Sequence, residues 1–454
     1  MQEVDKNKRK ELYIAFALLL LGFAMRWLYV LMLDIPTPIR GDAISYYFYA
    51  KNLLESGVFS FDRKGIPVAD SYWAPGYPLF LAFCFKLADI IQIDFYPIVL
   101  FLQAVLGGFT VFFSYLFGRQ FLSIKAAVIA SVFIILSPHL NSLGGNFLSE
   151  TLFTFWLIAS LYFYQIALRK EQIIFWVIAG CSFGMSYLVN PVVLWAPFLI
   201  SLFHILACDK EKKSLAIKQV SALLIVFVFF VAGWIVRGVV NVPEGRPSSG
   251  QRVFENLVIG SHPEYHRIWY SNATVLDPAS KVLNPGDQEM AEYKNDHSAF
   301  YRQLSHRIFK DPAYYLDWYL IQKPIELWGW NILFGNGDIY VFPVDSSLYD
   351  KSRIALVSLV IMKQLHFWLF GLAIAGLLFV FRDKNFNDQK SVVSMYILLV
   401  YINVVYVVIH SDARYSVPMR PEMYLCAVYG FSKLVAWVNK TREGSNNSLI
   451  EKSR

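Results

Sequence analysis

Side chains that could do chemistry cluster at five places in this 454-residue chain, and each place borders an apolar run. Arg40, Asp42, Tyr46 and Tyr47 stand in IRGDAISYYFYAKNLLESGVF, directly after the first such run. SYWAPGYP over 71–78, with Tyr77, closes the loop that follows. Asn146, Ser149 and Glu150 stand where the run 148–168 begins, and Asn190 with Pro191 makes a turn between two further runs. His410, Asp412, Arg414, Tyr415 and Arg420 open the last run. A carboxylate at a membrane surface can take the proton from an incoming hydroxyl. Arginines at headgroup depth can hold a phosphate and stabilise it as it leaves. ATP and nucleotide sugars are not normally available outside the membrane, so an activated donor there would be carried on a lipid. A sugar on polyprenyl phosphate meets these demands, and direct displacement would invert its anomeric carbon.

The elements that must bring these residues together are membrane helices. Hydrophobic residues make up 56% of the chain and charged residues only 17%, against roughly a quarter charged in soluble domains. Apolar runs recur near 13–33, 96–118, 122–140, 148–168, 172–189, 191–208, 218–240, 364–381, 391–410 and 416–437. Each approaches the ~20 residues that cross a bilayer. The sequence therefore predicts an all-α polytopic membrane protein with about ten transmembrane helices, interfacial helices and a small extracytoplasmic domain. The formal charge of +7 does not argue for nucleic acid, because much of the basic excess sits in short loops where it sets topology. Those loops are the N-terminus (Lys6, Lys8, Arg9, Lys10), Arg119 with Lys125, Arg169 with Lys170, 209–218, Arg382 with Lys384 and Lys390, and the tail from 440. Read as cytoplasmic, they put both termini inside and all five polar places outside. The chain then consists of an N-terminal membrane module over 1–240 with a catalytic first loop at 34–95, an outer domain at 241–352, membrane helices over 353–437 and an unstructured tail at 438–454.

This alternation requires 77–118 to cross an odd number of times. The shorter run 77–93, with Lys86 and Asp89, is expected to lie in the outer interface. In the run 354–381, Lys363 and His366 predict that the first part lies flat. The aromatic-rich PAYYLDWYLIQKPIELWGW over 312–330 is expected to form helices on the membrane surface. Cys84, Cys181, Cys208 and Cys426 have no CxxC spacing and read as small buried hydrophobes.

Each candidate also has a plainer reading. Asp42 could N-cap a helix over 43–56, with Arg40 as a snorkelling anchor. Glu150 is costlier to explain, because an ionised carboxylate near an apolar helix is costly without a partner. Arg414 and Arg420 are six residues apart and do not share a helical face. Gly180-x-x-x-Gly184 reads as close helix packing. His262 and His266 have a metal-like spacing that Pro263 undercuts, so no metal is expected. There is no phosphate-binding glycine loop that would signal an internal nucleotide fold.

Several motifs resemble the GT-C glycosyltransferases, in particular the branch holding bacterial relatives of protein O-mannosyltransferases and the aminoarabinose transferase of lipid A. They are Asp42-x-x-x-Tyr46-x-x-x-Ala50 with Leu53, Gly57 and Phe59; Pro75-Gly76-Tyr77-Pro78-Leu79-Phe80; Arg414-Tyr415-x-x-Pro418-x-x-Pro421; and, more weakly, Ser137-Pro138 with Leu148-Ser149-Glu150-Thr151-Leu152. The resemblance implies a first-loop aspartate as catalytic base, which maps to Asp42. It also implies a polyprenyl-phosphate donor, interfacial helices in the first loop and an active site at the extracytoplasmic surface of a bacterial inner membrane. Many relatives have an acidic pair in that loop, whereas Ala43 follows Asp42 here, and Glu150 could supply the second carboxylate. Many also have Pro-Pro-Gly where this chain has Ala74 before Pro75-Gly76. The expected partners are a polyprenyl-phosphate-linked sugar, a glycan, lipid or protein acceptor (lipid A among them) and membrane lipids, with no cofactor. Arg40, Tyr46, Tyr47, Tyr77, Asn190, His410, Asp412, Arg414, Tyr415 and Arg420 are the candidates for binding donor phosphate and substrate. The competing reading is a transporter or flippase of lipid-linked glycans. Such a protein usually shows related halves and ionisable residues at mid-bilayer, whereas this chain is asymmetric with its polar groups gathered at one surface.

Overall fold

Long apolar segments that satisfy their own backbone dictate an all-helical protein. The computed structural model describes residues 2–274, 282–294, 296–382 and 389–452, and among these there is no strand, only isolated bridges. The first helix, α1 (Gln2–Met32), is followed by α2 (Asp42–Ser56) and α3 (Gly76–Ile91) in the first loop region. Then come α4 (Phe95–Gly118), α5 (Ile124–Leu136) and α6 (Pro138–Gly144). Pro138 lacks an N–H and breaks the last two apart at an angle of 49°. The series continues with α7 (Glu150–Lys170), α8 (Ile173–Val189), a 3₁₀ turn at Pro191–Val193, α9 (Ala196–Leu206) and α10 (Lys213–Asn241).

Shorter helices fill the polar stretch: α11 (Ser249–Gly260), α12 (Tyr265–Thr274), α13 (Pro285–Glu292), α14 (His297–Lys310) and α15 (Pro312–Asp317). A π-helical turn at Trp318–Gln322 leads into α16 (Lys323–Leu327), and α17 (Leu348–Lys351) follows. The chain closes with α18 (Arg353–Arg382), α19 (Lys390–Val408), α20 (Ala413–Ser416) and α21 (Arg420–Lys452).

Among the described residues six helices are long and apolar enough to cross a membrane, or seven if the bent α5–α6 pair is one span. The expected count of about ten is not reached. The runs that became α8 (17 residues) and 191–206 fold as apolar helices shorter than the ~20 residues a crossing takes. The run at 416–437 became a helix with Arg420 and Glu422 in its first turn. At 16 residues α3 is also shorter than a span, whereas α4 has the length of one.

Two further expectations change. The run 354–381 has no separate flat piece, because α18 is a single 30-residue helix. Its polar residues find partners outside the helix: His366 Nε2 lies 2.6 Å from the Trp328 carbonyl and Lys363 lies 3.7 Å from Asp338. The tail expected to be unstructured is helical as far as residue 452. Lys384 lies outside the described residues.

The bundle packs α1 on α4, α4 on α7, α7 on α8 and α8 on α10, with α18 against α21. Gly180 and Gly184 make the α8–α10 contact possible. A Cβ on the first would stand 2.5 Å from the Leu223 carbonyl, and one on the second 2.4 Å from the Phe230 ring. Beyond the bundle, α11 and α14 share a small core of Phe254, Val258 and Phe300. The segment over 312–327 is helical and leaves Leu316, Leu320, Ile321 and Ile325 exposed.

Candidate active site

The first loop is sewn to the far end of α10 and to α11. Arg237 donates to the carbonyls of Phe59 (3.1 Å) and Asp70, and Arg246 pairs with Asp62 at 2.7 Å. Ser71 N–H donates to the Pro247 carbonyl at 3.1 Å, just before Ser248 caps α11. Buried Asp70 accepts from Tyr49 and from the N–H groups of Phe61 and Tyr72. Burial nonetheless pushes its carboxyl above the usual range.

Gly41, at φ 53°, turns the chain sharply into α2, so Asp42 is the first residue of the helix and makes no capping bond. Its carboxylate instead meets Arg414, whose Nη1 lies 2.9 Å from Asp42 Oδ2. Arg414 Nε donates to Glu150, the first residue of α7. One guanidinium thus joins two carboxylates from distant helices. Asp42 is about one-third exposed, while Arg414 and Glu150 are nearly buried. Burial works against the charge on Arg414, but Glu150 and Asp42 overcome it and hold the group well above its ordinary pKa. The second oxygen of Glu150 is buried without a protein partner.

Above this trio lies a cleft of about 600 Å³ whose lining includes Arg40, Asp42, His410, Asp412, Arg414 and Tyr415. The structure therefore brings six of the candidates to one cavity, with Glu150 directly beneath. Arg40 stands exposed at the lip, 6.0 Å from the Phe342 ring. Asp412 uses its carboxylate on backbone, accepting from Arg414 N–H and Phe334 N–H, each at 2.7 Å. It thereby builds the turn that presents Arg414, while burial raises its carboxyl. His410 is buried among His266, Phe334 and Tyr415, and burial keeps it neutral well below its ordinary pKa.

The remaining candidates do not line the cleft. Tyr46 lies just behind it, with its ring edge-on to Trp73 and Tyr77 and its hydroxyl on Ser149 at 3.3 Å. Tyr77 is fully buried and donates to Gln103, whose amide donates to the carbonyls of Gly144 and Asn146. That chain of bonds shapes the segment leading into Glu150. Tyr47 packs among Phe48, Phe85 and Phe95. Asn190 donates to the Tyr406 hydroxyl at 3.1 Å, and the Tyr406 ring stacks on Tyr415. Arg420 is fully buried and donates to His139 Nδ1 at 3.0 Å, the other ring nitrogen facing the Trp330 carbonyl. Arg414 faces the cleft whereas Arg420 points into the bundle, so the two do not meet at one ligand.

The family profile that matches is described as dolichyl-phosphate-mannose-protein mannosyltransferase and covers residues 74–235, taking in Glu150 but neither Asp42 nor Arg414. No curated protein matches the chain by sequence. Among solved structures the chain is similar to the oligosaccharyltransferase AglB of Archaeoglobus fulgidus in complex with an inhibitory peptide and a dolichol-phosphate. The TM-score is 0.51 at 15% identity, over 96% of this chain and 52% of that one. The chain has the GT-C glycosyltransferase fold. A second structure of the A. fulgidus oligosaccharyltransferase, with Zn and sulfate, gives a TM-score of 0.49 at 13% identity over 94% of this chain and 49% of that one. The chain thus spans about half the length of these GT-C structures.

Sequence reasoning missed one wall of the cleft. Tyr72, Trp73, Arg252, Glu255, Trp269 and Phe334 also line it. Trp73 stands inside the SYWAPGYP motif, so its place was open to inference. Arg252, in a polar stretch with no motif, gave no such signal.

Proposed function

We propose that this protein is an integral membrane glycosyltransferase that moves a sugar from polyprenyl phosphate to a hydroxyl of an envelope acceptor, at the extracytoplasmic surface. One observation carries the reading: Arg414 joins the Asp42 and Glu150 carboxylates at the base of an aromatic-walled cleft. The fold and the partial match to a lipid-phosphate-dependent mannosyltransferase family support it. The dolichol-phosphate bound by the archaeal relative makes a lipid-phosphate donor reasonable here too.

In the proposed reaction Asp42, the exposed member of the trio, accepts the proton from the acceptor hydroxyl. The acceptor oxygen bonds to the anomeric carbon from one face while the bond from that carbon to the phosphate oxygen breaks on the other. The phosphate leaves with the electron pair, and the anomeric centre inverts. Arg414, anchored by Glu150, fixes the direction in which Asp42 points. Arginines facing the cleft stabilise the leaving phosphate.

The test is transfer of labelled sugar from polyprenyl phosphate to extracted envelope acceptors, comparing wild type with Asp42→Asn. Equal transfer would remove Asp42 from its role. Reporter fusions after residues 90 and 122 test the orientation, with an external signal expected at the first and an internal one at the second.

A further inference from the structure

The charges in the cleft are unevenly matched. Arg414, the arginine that the motif singles out, carries one positive charge between two carboxylates, so the trio is net negative. An incoming phosphate would meet a cation already overcompensated. The free positive charge lies elsewhere. Among the described residues, neither Arg40 nor Arg252 has an acidic group within ion-pair distance. Arg40 is exposed at the lip, where water and salt weaken its pull. Arg252 is half-buried and lies on Trp73, with its guanidinium carbon 3.6 Å from the ring centroid.

The fold takes trouble to place it there. The Ser71–Pro247 backbone bond brings the start of α11 beside Trp73. Tyr72 donates to Glu255 one turn along, and Gln251 holds the other oxygen of that carboxylate at 2.8 Å. The acid best placed to neutralise Arg252 is thereby engaged by two neighbours. Trp73 touches Tyr46, whose hydroxyl reaches Ser149 beside Glu150. Arg252, Asp42, Arg414 and Tyr415 line the same cleft, so the free cation and the base flank one space. A guanidinium stacked by its face on an indole keeps its edge N–H groups available, and that edge matches a phosphate.

We infer that Arg252, laid flat on Trp73, binds the phosphate of the lipid-linked substrate, and that Arg414 serves the two carboxylates instead. This assignment rests on the glycosyl-transfer reading for the lipid, but the phosphate site itself does not. Arg252 lies outside the residues matched by the family profile, in a segment the sequence leaves without a role.

The experiment measures binding of polyprenyl monophosphate to the full chain in lipid nanodiscs, with inorganic phosphate as a second probe. Arg252→Gln is expected to weaken binding of the lipid phosphate about tenfold or more, the worth of one charge-assisted contact. Arg252→Lys keeps the charge without the flat face and should recover part of that loss. The double variant Arg414→Gln/Glu150→Gln removes one charge of each sign and keeps the net charge of the trio, so it should change binding by less than about threefold. Thermal unfolding of each variant reports whether it folds, and Tyr72, Gln251 and Glu255 keep α11 in place without Arg252. Binding by Arg252→Gln equal to wild type, or a loss with the Arg414→Gln/Glu150→Gln double variant as large as that with Arg252→Gln, overturns the assignment. If wild type ignores the lipid phosphate but binds inorganic phosphate through Arg252, the phosphate site stands and the lipid-donor reading falls. If wild type binds neither, both fall.

Discussion

Arg414 and Arg420 come from one motif, six residues apart, and end in opposite surroundings. Arg414 stands at the edge of the cleft between two carboxylates. Arg420 is sealed in the bundle with a neutral acceptor, His139 Nδ1, while its Nε and Nη2 have no protein partner. The first arrangement holds acids in position where a substrate can reach them. The second joins α6 to α21 and, through the Trp330 carbonyl, to the loop after α16. An arginine close to a membrane surface is therefore not by itself a ligand for a charged substrate. The polarity of its partners decides.

The largest effect expected from this comparison is on the exposed acid. Asp42→Asn keeps the shape of the trio and removes the proton acceptor, so transfer should fall by about 10²–10⁴-fold, the usual worth of a general base. Thermal unfolding in detergent should change little. A variant that unfolds much earlier would turn Asp42 into a structural partner of Arg414.

Next come the two buried members. Glu150→Gln leaves Arg414 with Asp42 alone, and Arg414→Gln leaves two carboxylates facing one another. Both should reduce transfer by about 10²-fold through misplacement of Asp42, with Arg414→Gln also lowering the unfolding temperature. Arg420→Met should behave differently. It leaves His139 Nδ1 without its donor, at a cost of about 1–3 kcal/mol, and relief from burying an unpaired cation offsets part of that. Transfer per folded molecule should stay within about twofold of wild type. A large loss of turnover in folded protein would abolish the distinction between the two arginines.

Which of these features could be read in advance follows from how local they are. Asp42 and Arg414 are charged residues at the ends of apolar runs, and topology alone sends such residues to one surface. The all-helical class follows from apolar length in the same way. The jobs of Tyr77 and Arg420 depend on Gln103 and His139, which lie far off in the chain. For these two the motif marked importance but misread its kind. The continuity of α18 past Lys363 and His366 depends on Asp338 and the Trp328 carbonyl, which no periodicity reveals. The count of about ten is not confirmed, because 172–189 and 191–208 are apolar enough for spans but fold into helices shorter than one. Arg252 was invisible because an arginine in a polar stretch is ordinary until Trp73 is seen beneath it.

The smallest effect concerns a third buried cation, which sharpens the comparison because its hydrogen-bond partners are all backbone carbonyls, with the Tyr319 ring 4.5 Å from its Nζ. Lys323 is fully buried and donates to the carbonyls of Gly260 (2.9 Å), Ile409 (3.3 Å) and Val408 (3.4 Å). It ties the end of α11 to the segment that leads into His410 and Arg414, and so ties together two walls of the cleft. Burial pulls its pKa down to about 7, with Glu326 opposing. In the unfolded chain a lysine titrates near its ordinary value of about 10.4. Between these two values the unfolded chain holds a proton that the folded protein has released, so stability must rise with pH across that window. Below the lower value both states are protonated and the full penalty for burying the charge is present. Above the upper value both are neutral and the penalty is gone. The contribution to the slope is at most about 1.4 kcal/mol per pH unit. Lys323→Met removes the group, so the difference in unfolding temperature between wild type and variant should drift in favour of wild type from pH 7 to pH 10, other titrating groups cancelling. A difference that stays flat would mean that the three carbonyls and the Tyr319 ring hold the ammonium charged, and that Lys323 is pinned as firmly as Arg414 without an ion pair.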